Sequence, residues 1–264
     1  MIRKALLVAL VAAVLVIPMA GTAQAALSFE GLLAYYPFGG NANDASANAN
    51  HGTVFGATLA PDRFGNAASA YLFDGSDDYI RAVGSSPALD IQSAITLAAW
   101  VNITTLTGHS FQHIVNKSDL SSGYRLSSWQ ANPQGNALEL YDAGGAQHIV
   151  DDLGLAVTGA WMHVAATWDG ATMRIYRDGV LRNSAAFAGS IGLAANDLHI
   201  GTLPVFGGQG FFFGSIDEVA VFGRALSGAE VQALMVTSIP EPQTYALLLA
   251  GLGLLGFAAR RRRK

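Results

Sequence analysis

The chain has 264 residues, of which 51% are hydrophobic, 13% are charged and none is cysteine. So few charges beside so many apolar residues exclude a disordered chain. The missing thiols exclude a disulfide framework, an iron–sulfur cluster, a thiolate zinc site and a cysteine nucleophile, and the length suits one large β domain or two small ones.

Arg3 and Lys4 precede the apolar run Ala5–Ala20, and Gly21-Thr22-Ala23-Gln24-Ala25 offers small residues at an A-x-A cleavage pattern. Residues 1–25 are therefore expected to be a secretory signal peptide cut before Ala26. A domain exported without cysteine must be stable without disulfides.

Residues 26–238 hold eight basic and 18 acidic residues, about ten net negative charges against −4 for the whole chain. An acidic domain without a basic patch argues against a nucleic-acid partner and suits cations or neutral sugars. Short strand-like runs alternate with Gly, Asn and Asp: Leu32–Tyr36, Ala70–Phe73, Ile95–Val101, Phe111–Asn116, Tyr124–Ser128 and Ala137–Tyr141. Trp161–Thr167, Met173–Tyr176, Val180–Asn183, Leu198–Ile200 and Ser215–Phe222 follow. Asp169-Gly170 and Asp178-Gly179 each separate two such runs, which predicts type I′ turns and a three-strand antiparallel meander from Trp161 to Asn183. Ser227-Gly228-Ala229-Glu230 is a capping box, and Val231, Leu234 and Met235 recur at helical spacing, so one short helix closes the region.

Pro240-Glu241-Pro242 is followed by fifteen uncharged residues, Tyr245–Ala259, and then by Arg260, Arg261, Arg262, Arg263 and Lys264. Fifteen helical residues rise about 22 Å, short of the roughly 30 Å hydrocarbon core unless the arginines snorkel. The basic end stays cytoplasmic under the positive-inside rule, leaving the preceding domain outside. Residues 239–264 resemble the PEP-CTERM sorting signal, which implies a membrane-anchored intermediate, processing by an exosortase and delivery to the cell surface or extracellular matrix. An ordinary tail anchor has the same composition.

A second resemblance spans residues 28–235. Leu33-Ala34-Tyr35-Tyr36-Pro37-Phe38-Gly39-Gly40-Asn41, Asp44 and Asn50-His51-Gly52 open it. Arg63-Phe64-Gly65-Asn66, Leu72-Phe73-Asp74-Gly75, Thr96–Val101, Trp161–Ala165, Arg174–Gly179, Phe213–Val219 and Arg224-Ala225-Leu226-Ser227 continue it. The order is similar to that of laminin-G-like (concanavalin A-like) domains. The likeness implies an all-β fold: a two-sheet antiparallel jelly-roll sandwich with one short C-terminal helix, between the signal peptide and the membrane segment. That fold hosts lectins, adhesion modules and hydrolases, so it leaves function open.

The chemistry-bearing candidates are few. Hydrolases of this fold place acids at alternate strand positions so that both face one cleft. Glu139 and Asp142 are three apart and point to opposite faces, while Asp77-Asp78 and Asp151-Asp152 read as solvated turns. His109 and His113 are four apart on a strand, His163 sits at a packing position, and His51, His148 and His199 have no partner at useful spacing. All six read as structural. Related domains often hold a structural Ca²⁺, and the fold would bring Asn41 and Asp44 near Asp217; the alternative is an Asx-turn loop over Asn41–Asn50. Asp74 reads as a hairpin residue. Trp129 with Gln130 and Asn132 offers an aromatic platform beside amides for a sugar, and Phe211–Phe213 could present a further apolar surface. The expectation is an exported, non-catalytic module binding a polysaccharide or cell-surface component, with a glycoside hydrolase and a matrix protein without a discrete ligand as alternatives.

Overall fold

Alternation of apolar and polar residues, repeated on strand after strand, leaves each sheet one face to bury, and two such sheets stack. The computed structural model describes residues 29–236, except 85–86, 107, 109–110, 130–134, 155 and 205–209. The signal peptide and the sorting segment lie outside the described residues, as do Gln130, Asn132 and His109. Among the described residues no helix is long and apolar enough to cross a membrane.

In chain order the strands are β1 (Leu32–Tyr36), β2 (Thr53–Phe55), β3 (Thr58–Ala60), β4 (Ala70–Asp74), β5 (Tyr79–Ala82), β6 (Ile95–Ile103), β7 (Phe111–Ser118) and β8 (Gly123–Trp129). There follow β9 (Gly135–Tyr141), β10 (Gln147–Asp151), β11 (Met162–Trp168), β12 (Thr172–Arg177), β13 (Val180–Ala186), β14 (Leu198–Ile200) and β15 (Phe213–Phe222), then helix α1 (Gly228–Val236). They form an all-β sandwich of two antiparallel sheets. One runs β13-β12-β11-β6-β15-β4-β3 with β1 also on β15, and the other runs β10-β9-β8-β7-β14-β5-β2.

The core lies between the sheets. Trp168, Tyr124, Phe73, Phe212 and Leu97 are fully buried there, and Tyr36 reaches across to donate its hydroxyl to the Asn50 carbonyl at 2.6 Å. A smaller cluster on the far side of the eight-stranded sheet (Tyr35, Ala165, Tyr176, Phe222) is covered by Leu226, Val231 and Leu234 of the C-terminal segment. The capping box forms as the sequence predicts: Ser227 N and Oγ both donate to Glu230 Oε2, and Glu230 N donates to Ser227 Oγ.

Strand β15 has two successive neighbours on one edge. Its Phe213–Ile216 half pairs with β4, its Val219–Phe222 half pairs with β1, and β6 lines the opposite edge throughout. The hand-over falls on Asp217 and Glu218, where the β6 register shifts and Glu218 adopts φ 47°. The meander β11-β12-β13 forms as expected, and Asp178 (φ 50°) and Gly179 (φ 73°) make the two-residue turn that a type I′ geometry needs. The other turn differs. Asp169 stays out of the left-handed region and its carboxylate instead accepts from Ala171 and Thr172 amides, so an Asx turn closes that hairpin.

Candidate functional site

The seven-stranded sheet presents two adjacent rows of side chains, each with one residue from every strand. The inward row is Val54, Ile80, Ile200, Val115, Leu126, Leu138 and Val150, and it packs into the core. One residue along, the facing reverses. The outward row reads Thr53, Arg81, His199, Asn116, Arg125, Glu139 and Ile149. Apolar and polar rows thus follow from one register.

At the centre of the outward row, Arg125 Nη2 donates to Glu139 Oε2. Glu139 also accepts from Gln147 Nε2 at 2.6 Å and from Ser127 Oγ at 3.2 Å, and Ser127 meets His113 Nδ1 at 2.8 Å. Burial raises the Glu139 carboxyl above its ordinary range, opposed by Arg125. Burial, then the Arg125 charge, lowers His113 to about 3, so its imidazole is neutral at physiological pH. The Arg125 guanidinium lies 5.4 Å from the Tyr141 ring centre. Toward one end, Trp129 meets Phe111 edge to face at 5.4 Å, and the Gly210 backbone lies against the His113 ring, leaving no room for a Cβ. Toward the other, Phe55 stacks on Tyr79 at 4.5 Å and Arg81 pairs with Asp197 at 3.6 Å.

Several polar atoms on this face have no hydrogen-bond partner although they are shielded from water: Arg125 Nε and Nη1, Arg81 Nε, Asn116 Oδ1 and Trp129 Nε1. Arg125 is 6% exposed, Trp129 7% and Asn116 0%. Idle buried donors are costly, at about 1–3 kcal/mol each, which makes a ligand or ordered water on this face an expectation of physical chemistry.

The remaining sequence candidates fall elsewhere. Trp129 closes β8 as a buried side chain, in place of the loop platform expected. Phe212 belongs to the core. Glu139 and Asp142 do face opposite ways, since Asp142 pairs with His148 (3.1 Å), whose ring stacks on Phe187 of the core. His148 therefore has an acidic partner that its sequence neighbourhood hides. Asp152 is no solvated turn: it is buried, donated to by Arg177 Nε and Nη2 and by Asn136.

The carboxylates expected to share a calcium ion keep separate partners. Asp44 accepts from the Tyr35, Ser46 and Asn50 amides and from Ser46 Oγ, all at 2.8–2.9 Å, and Asn41 Oδ1 accepts from Asn43 N. Asp217 lies 3.7 Å from Arg63 Nη1, with burial, then the Glu218 charge, pushing its carboxyl up to about 8. A carboxylate filled by four donors and a carboxyl beside a guanidinium fit a divalent cation poorly. The oxygens that do group are those of Asp74, Asp77 and Asp78, within 4.8 Å of one another. Asp78, like Asp152, is buried rather than solvated, with Oδ2 accepting from Asp74 N.

Residues 74–232 match the concanavalin A-like lectin/glucanases superfamily (Laminin_G_3), and residues 238–263 match the PEP-CTERM protein-sorting motif. Among curated proteins none matches. Of solved structures, domain 4 of AbnA, a GH43 extracellular arabinanase from Geobacillus stearothermophilus in complex with arabinotriose, aligns with TM-score 0.61 at 22% identity, over 77% of this chain and 98% of that one. The binding domain of botulinum neurotoxin serotype G aligns with TM-score 0.59 at 16% identity, over 77% of this chain and 50% of that one. The binding domain of Paraclostridial Mosquitocidal Protein 1 aligns with TM-score 0.57 at 15% identity, over 78% and 52%. At these identities the likeness concerns the fold, and the chain spans about half the length of the two toxin domains.

Proposed function

The chain belongs to the concanavalin A-like lectin/glucanases superfamily and carries a PEP-CTERM motif, and from this we propose that it is an exported, non-catalytic module that binds a glycan or other cell-surface component. The observation that carries the reading is the outward row of the seven-stranded sheet, with its idle buried donors on Arg125, Arg81 and Trp129. Residues 26–238 are the binding domain in this reading, and Trp129, Gln130 and Asn132 mark one end of the site. The arabinotriose complex of the similar AbnA domain supports a saccharide as ligand. Glu139 is held by three donors and faces away from Asp142, which supports binding over acid–base hydrolysis.

Residues 1–25 direct export in this reading, and an exosortase processes the chain near Pro240-Glu241-Pro242 after transient anchoring through residues 245–259. One structural Ca²⁺ belongs to the proposal, with Asp74, Asp77 and Asp78 as its grouped oxygens. The test is saturable retention of the purified full chain on a polysaccharide array, with hydrolysis products assayed in parallel. Retention without turnover is expected. Turnover abolished by Glu139→Gln would establish a hydrolase, and unsaturable retention on every surface would indicate a matrix protein without a discrete ligand.

A further inference from the structure

We propose that the outward row selects glycans whose sugars carry carboxylate groups. The inference rests on the glycan-binding reading and names the ligand chemistry of that same face. Of the idle buried atoms there, four are donor nitrogens (Arg125 Nε, Arg125 Nη1, Arg81 Nε and Trp129 Nε1) and one is an acceptor, Asn116 Oδ1. A hydroxyl both donates and accepts, whereas a carboxylate only accepts. A face short of acceptors is therefore completed better by carboxylates than by hydroxyls alone.

Charge points the same way. Three of the four donors sit on guanidinium groups, whose hydrogen bonds to carboxylates are roughly twice as strong as neutral ones. The Arg125 charge is held in place from behind: Glu139 takes Nη2 and is itself anchored by Ser127 and Gln147, so Nε and Nη1 remain for a ligand. Two of the eight basic residues of region 26–238 stand in this single row of an otherwise acidic domain. Asn116 stands between them, directly opposite Arg125, with His199 beside it. The donors are also spread out. Arg125 and Trp129 share a strand face four residues apart, about 13 Å at 3.3 Å per residue, so one sugar ring cannot meet both and a chain of rings can.

The experiment compares polygalacturonate with its own carboxyl-reduced form, titrated against the purified full chain at low and high salt. The expected result is at least tenfold tighter binding of the acidic polymer, weakening with salt. Trp129→Phe, which keeps the aromatic ring and removes the N–H, is expected to weaken binding of the acidic polymer several-fold. The paired change Arg125→Gln with Glu139→Gln removes both charges together and is expected to bring the preference below threefold while circular dichroism and melting stay native-like. Equal affinity for the two polymers would overturn the inference and leave the glycan-binding reading intact. Failure to bind either polymer or any neutral glycan would overturn that reading itself. A preference that survives in the folded double variant would show that Arg125 is not its source.

Discussion

Arg125 and Glu139 face each other directly across β8 and β9 and form an ion pair on the sheet face turned away from the core, with Glu139 fully buried. Such a pair recovers its desolvation cost only while both partners are present. Glu139→Ala is therefore expected to destabilise the fold by about 3–5 kcal/mol, because the Arg125 charge is left buried and unpaired. Replacing both residues, Arg125→Met with Glu139→Leu, is expected to recover most of that loss. Urea midpoints of the two single variants and the double variant measure it, and additive losses would show that the two side chains act independently.

Asp44 is the hub of the loop that follows β1. Four donors converge on its carboxylate, and three of them are backbone amides that no other group satisfies in the same geometry. Asp44→Ala is expected to cost about 2–4 kcal/mol, at roughly 0.5–1.5 kcal/mol for each net hydrogen bond lost. The loss is expected to be the same in millimolar Ca²⁺ and in EDTA. A loss confined to the calcium buffer would restore Asp44 as a metal ligand.

The acidic hairpin gives the opposite expectation. If Asp74, Asp77 and Asp78 hold one Ca²⁺, saturation to about a hundred times its dissociation constant adds roughly 2.7 kcal/mol. For a domain of this size that raises the melting temperature by about 5–10 °C. Asp77→Asn is expected to abolish the increment, since Asp77 is an exposed member of the group and its replacement spares the core. Equal melting curves of the wild-type chain in Ca²⁺ and in EDTA would remove calcium from the proposal.

Most long strands were legible because their own residues alternate. Tyr124-Arg125-Leu126 and Leu138-Glu139-Leu140 announce both strand and facing, and the Ser227–Glu230 box announces the helix. Strands β2 and β3 escape notice because three residues are too few to show a period, and β10 because its inward His148 breaks the apolar pattern. The outward row is harder to read. Its seven members lie between positions 53 and 199, and only six separate strand pairings bring them abreast. Reading along one strand pairs Glu139 with Asp142, whereas the partner that matters, Arg125, stands on the next strand. Asp152 misleads for the same reason: it looks like turn chemistry, and its cation comes from β12.

That cation is Arg177, which donates to Asp152 from both Nε and Nη2 and to the Gly154 carbonyl as well. Asp152 also binds the Asn136 amide and side chain, so one carboxylate ties the start of β9 to β12 of the other sheet. Arg177→Ala is expected to destabilise the chain by about 3–5 kcal/mol, and Arg177→Lys to recover only part, since an ammonium cannot reproduce the planar fork. Gly135 sits against the same carboxylate at φ 112°, and a Cβ there would fall 2.0 Å from Asp152 Oδ1. Gly135→Ala is therefore expected to match Arg177→Ala in cost, measured by urea unfolding.

Asp217 makes the stability of the fold depend on pH. It sits where β15 changes neighbour from β4 to β1, opposite Trp100 in the row that continues to His163. Burial, then the Glu218 charge, raises its carboxyl to about 8; Arg63 opposes the rise, and Asp62 adds to it. His163 is lowered to about 3 by burial and the Arg63 charge, so it stays neutral through the range that matters. The unfolded carboxyl titrates near 3.9. Between about pH 4 and pH 8 the folded state holds a proton that the unfolded state has released, so stability falls as pH rises across that window and levels off above it. Asp217→Asn mimics the protonated form. It is expected to flatten the profile between pH 4 and pH 8 and to be more stable than the wild type at pH 8, with little difference at pH 4. Urea midpoints measured at intervals across that range decide it: parallel profiles for the two proteins would show that Asp217 is ionised throughout, held by Arg63 at 3.7 Å.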